Sequence, residues 1–513
     1  MKRQRSISNH TLSRVLQSVG ELWQRREFAP AIAELEGACR RDPGNLGLLL
    51  DLGRLHGLRY DHAAAEACFE KAIRLAPNKA QVLTFAGRQC RDFNGDALAE
   101  RYFLQALADK NPPAEAAVKL AELYERQRRS DAAAAQIDRA LQQQPGLPAA
   151  LLVKARLERQ AGRAAEAEAI LRAFPAAAEP ALRASAAYEL GGILDRQGDY
   201  DAAMMAFAQA KEWLRPLATR PLHELQIMRK RLQHLYENLT PQLLQSWRQA
   251  AADLQPPRQL ALLAGHPRSG TTLLEQVLDA HPDMVSAEET EIFYDDAYMP
   301  LMRGLPDDTA MFAGLANASP AALVHSRENY FRSMDLALAQ PVGRRLLVDK
   351  NPSYTFLIPA FARIFPEIKF LIALRDPRDV VLSCYMQNLP MNQVGAAFLS
   401  LESTAAEYAA LMSGWREVRA QLDHPWLEVR YEDMVEDLGA VARKTLEFLG
   451  VDWNPDVLGF DEHARKKLVR SPTYVDVTQP VYKRARGRWR NYHKYLEPHL
   501  EKLTSWVQAF GYD

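Results

Sequence analysis

Leu260-Ala261-Leu262-Leu263-Ala264-Gly265-His266-Pro267-Arg268-Ser269-Gly270-Thr271-Thr272 is the stretch that decides the fold of the second half of the chain. Its first five residues form a short continuous apolar run, the pattern of a strand buried on both faces. Leu273, Leu274, Val277 and Leu278 then mark a helix that ends near His281-Pro282. A strand, a glycine-containing loop and a helix together aim backbone N–H groups and a helix dipole at an anion. The spacing of Gly265 and Gly270 is that of a nucleotide phosphate loop, but Thr271 stands where such a loop has its lysine. The missing lysine argues against ATP hydrolysis, and Arg268 supplies the charge instead. A small positive loop with hydroxyls at Ser269, Thr271 and Thr272 suits a donor that carries both a phosphate and a sulfate.

Further blocks lie outward from this loop. Arg345-Leu346-Leu347-Val348-Asp349-Lys350-Asn351-Pro352 reads as a strand ending in a polar turn. Lys369 to Asp379 reads as a strand that delivers Arg375, followed by a helix carrying Ser383. An arginine fork with a hydroxyl at a strand's C-terminal end is a sound grip for a dianion. Leu427 to Asp433 and the basic run Tyr482 to Arg490 complete the set. Group transfer from such a donor requires in-line attack, a base for the acceptor proton and positive charge on the leaving phosphate. Lys350, at its strand end, is the candidate for that charge.

Pro267 to Thr272, Asp279-Ala280-His281-Pro282 and Glu288-Glu289-Thr290 resemble the sulfotransferase superfamily, closest to the tyrosylprotein sulfotransferase branch and its bacterial repeat-fused relatives. The resemblance covers about residues 258–495 and implies an α/β domain with a central parallel, P-loop-like sheet. It implies 3′-phosphoadenosine-5′-phosphosulfate as donor, with Arg268, Ser269, Gly270, Thr271 and Thr272 on its 5′-phosphosulfate and Arg375 and Ser383 on its 3′-phosphate. Tyr431 is expected by the adenine, with Arg486 and Gly487 in a basic loop that closes over the donor. Glu289 matches the family's catalytic base, with Glu288 its nearest competitor and His281 behind both. Thr473 is expected on the acceptor side. Glu291 stands where the tyrosylprotein branch has a basic residue, and Thr473, Asp476 and Thr478 replace the Ser, Gln and Arg more frequent in bacterial relatives.

The first half is periodic. Ala38, Ala72, Ala106 and Ala140 recur every 34 residues, as do Gly53, Gly87, Ala121 and Ala155, and Ala65, Ala99, Ala133 and Ala167. Gly191, Ala203 and Ala210 keep the internal offsets of a unit that begins two residues late. Small residues let paired helices approach closely, and Pro43, Pro77 and Pro145 end units. One such unit cannot bury its apolar face alone, so the units must stack. The pattern resembles the tetratricopeptide repeat over roughly residues 10–217 and implies an α-solenoid whose concave surface binds peptides or proteins; a purely architectural role is the alternative.

Bulk composition agrees with a soluble multidomain protein. The 513 residues are 48% hydrophobic and 25% charged, and Lys plus Arg balances Asp plus Glu at 64 each, so no global nucleic-acid surface is implied. Cys39, Cys68, Cys90 and Cys384 have no metal-ligand spacing and read as buried thiols in a reducing compartment. No signal-peptide core or membrane-spanning run is visible, so a cytoplasmic location without membrane span is expected. The expected organisation is a tail over 1–9, repeats over 10–217, a connecting helix and linker over 218–254, and a sulfotransferase domain over 255–513. The expected reaction is metal-free transfer from that donor to a hydroxyl acceptor, with peptidyl tyrosine leading and a glycan, lipid or small phenol open. A non-catalytic scaffold with a degenerate nucleotide-binding domain and a nucleotide kinase or NTPase are the rival readings.

Overall fold

The computed structural model describes residues 9–254, 256–306, 309–466, 478 and 485–512. The chain divides into two compact units, Met1–Ala178 and Glu179–Asp513.

Among the described residues of the first unit, helices pair as antiparallel hairpins, from Asn9–Gln24 with Phe28–Arg41 to Pro148–Gln160 with Ala164–Arg172. The phased small residues have a steric cause. A Cβ on Gly53 would lie 2.6 Å from the Phe69 ring, and one on Gly87 would lie 2.5 Å from the Phe103 ring. Sixteen residues after Ala121 and Ala155 stand Ile137 and Leu171, which carry no ring. The small residue is therefore matched in size to its partner on the next helix.

We expect Gly87→Ala to destabilise the chain by about 1–2 kcal/mol, because overpacking against Phe103 outweighs alanine's better helix propensity. In a Phe103→Leu background the same change should become stabilising. Chemical denaturation of the four variants checks this reversal of sign.

The turns inside the hairpins share a device that the sequence hides. Arg26, Tyr60, Asn94 and Arg128, thirty-four residues apart, all have left-handed backbone with φ between 60° and 69°, and Gly162 continues the series at 81°. After each of them the next N–H reaches five residues back, as in Asp61 N to His56 O (3.0 Å) and Arg129 N to Tyr124 O (2.8 Å). This is the Schellman closure of a helix C-terminus.

The second unit opens with one more such hairpin, Pro180–Gln197 with Tyr200–Leu214, where Gly191 meets Phe207 as Gly53 meets Phe69. Helices Thr219–Asn238 and Pro241–Gln249 lead into a five-stranded sheet. Its strands are β1 (Leu260–Gly265), β2 (Met284–Glu288), β3 (Leu346–Lys350), β4 (Lys369–Leu374) and β5 (Trp426–Arg430). They pair in the order β2-β3-β1-β4-β5, and every pairing is parallel. All five strands therefore end on one edge, where open α/β sheets carry their ligands. Among the described residues no helix is long and apolar enough to cross a membrane. Cys39, Cys68, Cys90 and Cys384 are all free thiols.

Candidate active site

The loops that leave the strands along that edge build the site. After β1 the chain turns through His266 to Gly270 into the helix Thr271–Asp279. Gly265 has φ 135°, and a Cβ there would meet the Ala373 carbonyl of β4 at 2.4 Å, so only glycine lets the loop leave between its neighbours. Gly270 caps the helix with φ 91°, and a Cβ there would meet the Tyr431 ring at 2.7 Å. Arg268 itself holds a left-handed backbone at φ 72°. Ser269, Thr271 and Thr272 are buried within the loop and first helical turn.

Arg268, Ser383 and Arg375 come together at this edge. Arg268 Nε donates to Ser383 Oγ at 3.1 Å, and Arg375 Nη1 donates to the Arg268 carbonyl at 3.2 Å. Arg375 Nη2 donates to the Ala485 carbonyl at 2.6 Å, and its guanidinium lies 5.0 Å from the centroid of the Tyr431 ring. Its Nε is buried with no hydrogen-bond partner among the described residues. Such a donor has capacity for one more acceptor, and an anion between Arg375 and Arg268 would supply it. Asp379 receives the N–H groups of Gly487 (2.7 Å) and Trp489 (2.8 Å), which brings the basic C-terminal segment to Arg375. The Arg486 side chain pairs with Glu436 at 3.4 Å. Thr473 lies outside the described residues.

Lys350 closes β3, in register between Leu263 and Glu288. Its ammonium is fully buried among Glu289 at 2.8 Å, Glu275 at 3.4 Å and Glu288 at 3.7 Å. Burial alone would lower its pKa, but Glu275, Glu289 and Glu288 together outweigh burial and raise it, so the lysine stays charged. Glu289 is the open member of this group, with 45% of its side chain exposed against 0% for Glu275 and 7% for Glu288. Its backbone is left-handed at φ 50° and anchored by its N–H on the Lys350 carbonyl at 2.8 Å. His281 is committed elsewhere, with Nε2 2.9 Å from the Asp452 carbonyl and Nδ1 accepting from the Asp283 N–H at 3.1 Å. Glu275 is the residue sequence reading missed. It sits on the helix after the phosphate loop and accepts from Ser286 Oγ at 2.9 Å. Nothing in its local pattern separates it from a solvated helical glutamate.

Next to Lys350, Asp349 is fully buried and accepts from Tyr330 OH at 2.8 Å. Burial pushes its pKa up to about 7. The folded chain therefore holds a proton that the unfolded chain has lost above the ordinary aspartate range, so this group costs stability as pH rises from about 4 to 7. Asp349→Asn should gain about 1–3 kcal/mol relative to the unaltered chain between pH 5 and pH 8. Urea denaturation at the two pH values measures the difference; no change would mean Asp349 titrates normally.

Residues 261–455 match the family model described as sulfotransferase family, and residues 47–79, 97–148 and 152–213 match tetratricopeptide-repeat models. The chain carries a sulfotransferase-family domain behind tetratricopeptide repeats. The sulfotransferase match spans β1 through β5, hence the phosphate loop, Glu289, Lys350, Arg375, Ser383 and Tyr431. An uncharacterized protein of Aquifex aeolicus is 26% identical over 331 residues, covering 63% of this chain and 41% of its own length. Protein-tyrosine sulfotransferase 1 of Danio rerio is 28% identical over 244 residues, covering 45% of this chain and 65% of its own. The chain thus spans about two fifths to two thirds of the length of these relatives. Among solved structures, the sulfotransferase domain of the Synechococcus PCC 7002 olefin synthase is 23% identical, covers 50% of this chain and 96% of its own, and has a TM-score of 0.35. Among the described residues, no group of three His, Cys, Asp or Glu is arranged to hold a metal ion.

Proposed function

We propose that the chain transfers a sulfuryl group from 3′-phosphoadenosine-5′-phosphosulfate to a hydroxyl acceptor. The observation that carries this reading is the convergence of Arg268, Ser383 and Arg375 within direct hydrogen-bond distance, beside a phosphate loop that lacks the NTPase lysine. The donor, when bound, supplies the sulfuryl group and leaves as adenosine 3′,5′-bisphosphate. The loop N–H groups, Ser269, Thr271, Thr272 and Arg268 hold its 5′ end, while Arg375 and Ser383 hold its 3′-phosphate. Tyr431, packed on Gly270 and Arg375, offers an aromatic face for the adenine. Glu289 accepts the acceptor's hydroxyl proton as the new S–O bond forms, and Lys350 directs its ammonium at the phosphate oxygen released as the old S–O bond breaks. Glu289 and Lys350 are paired at rest, so substrate binding must separate them before both can act.

The acceptor reading starts from the protein-tyrosine sulfotransferase relatives, which make peptidyl tyrosine the leading hydroxyl. One observation favours a second reading. A cavity of about 510 Å³, the size of a small-molecule site, has Pro267 of the phosphate loop, Ser353, Phe356 and Phe398 in its wall. Glu237, Glu407 and Glu417 also line it, and its single arginine, Arg229, is paired with Glu407. Such a wall repels an acidic peptide and suits an apolar phenol or a tyrosine with neutral or basic neighbours. Labelled-donor turnover across small phenols, glycans and tyrosine peptides of acidic, neutral and basic flanks discriminates these acceptors.

Calorimetric titration with adenosine 3′,5′-bisphosphate, without divalent cation, tests the donor reading. Tight binding is expected, and Arg375→Ala should weaken it by about 30- to 300-fold, the worth of a charge-assisted contact to a dianion. Absence of binding combined with magnesium-dependent ATP hydrolysis would overturn it.

A further inference from the structure

The basic segment 485–492 is gripped from two sides. On the sheet side, Ala485 receives Arg375, Gly487 and Trp489 donate to Asp379, and the Arg378 guanidinium lies 4.1 Å from the centroid of the Trp489 ring. On the other side stands the repeat hairpin Pro180–Gln197 with Tyr200–Leu214. Near the end of its first helix, Asp195 takes the Arg488 guanidinium at 2.7 Å and the Tyr492 hydroxyl at 2.6 Å. Tyr200, from the second helix, meets the Tyr492 ring edge-on with centroids 5.2 Å apart. Tyr492 is fully buried, and only 15% of the Asp195 side chain is exposed. A second carboxylate of the hairpin, Asp201, pairs with Lys494 and Tyr495 in the open, where an ion pair holds little.

These contacts form one unbroken chain. Asp195 holds Arg488 and Tyr492; the N–H groups of Gly487 and Trp489, on either side of Arg488, donate to Asp379; Asp379 and Ala485 flank Arg375; and Arg375 holds the carbonyl of Arg268. Without Asp195 the segment keeps its sheet-side bonds and loses the carboxylate that holds its Arg488 and Tyr492 side chains to the hairpin. We infer that the helical hairpin 180–214 is a working part of the donor site, with Asp195 as the positioning residue that sets the basic segment, and through it Arg375, for the donor's 3′-phosphate. This rests on the donor reading above, and it gives that hairpin a task other than recognising a partner.

A merely structural Asp195 would lower stability without moving donor affinity, so the test reads both. In the full chain, Asp195→Asn and Arg488→Gln should each weaken adenosine 3′,5′-bisphosphate by about 5- to 30-fold and raise the donor KM to match, with kcat at saturating donor within about threefold. The double variant should be no weaker than the worse single, because both remove one interaction. Asp201→Asn should stay within about twofold of the unaltered chain. Arg488→Gln, on a partly exposed side chain, carries the test if Asp195→Asn does not fold. Unchanged affinity and unchanged donor KM in a folded Arg488→Gln chain overturn the inference while leaving the donor reading intact. An unaltered chain that fails to bind the bisphosphate removes both.

Discussion

Glu289→Gln should reduce sulfuryl transfer by about 10²- to 10⁴-fold while adenosine 3′,5′-bisphosphate binds as before. The amide keeps the size of the carboxylate and still accepts from Lys350, so the ring of groups around the lysine survives the change. What it cannot do is take a proton. The contrast with Glu288 is built into the geometry: Glu288 ends β2 with its side chain almost wholly covered, whereas Glu289 turns out on a left-handed residue with nearly half of its side chain open. Donor-labelled turnover with parallel calorimetry measures both quantities. If Glu288→Gln silences transfer and Glu289→Gln does not, the base has been assigned to the wrong glutamate.

Lys350→Met should act twice. Loss of the cation proposed to face the leaving oxygen should lower turnover by about 10²- to 10³-fold, the effect of deleting one charge-stabilising donor in a dry site. Loss of the same cation also strands Glu275, which is fully buried, and should cost about 3–5 kcal/mol of folding stability. The two effects separate in a second variant. Adding Glu275→Gln removes the stranded charge and should recover much of the stability, with Ser286 still able to donate to the amide oxygen. It should recover none of the turnover. Thermal melts and turnover on the two variants decide the matter, and a double variant that regains activity would mean Lys350 holds the fold and nothing more.

Much of this site is legible along the chain because its parts are local. A strand, a Gly265-to-Gly270 loop and a helix are contiguous, and a geometry that aims N–H groups at one point follows from backbone alone. Lys350 and Arg375 announce themselves by standing at the ends of apolar runs, and parallel strands bring such ends to one edge. Glu275 and Asp195 gave no such signal. Each lies on a helix among residues of ordinary amphipathic pattern, and its partner is 75 residues away in Lys350 and 293 in Arg488. The left-handed turns of the repeats were equally silent where they fall on Arg26, Tyr60 and Arg128, since the side chain there does not report the backbone.

The amino-acid sequence by itself determined the repeat period, the pairing of small residues with the helices next in line, and the order of the blocks that build the candidate site. These depend on neighbours within a few tens of residues, where spacing translates directly into geometry. Tertiary structure alone decided which glutamates surround Lys350, which of them stays open to solvent, and that the hairpin 180–214 grips the basic segment near Arg375. Those contacts join distant parts of the chain, and burial and charge pairing become defined only when the sheet edge has formed.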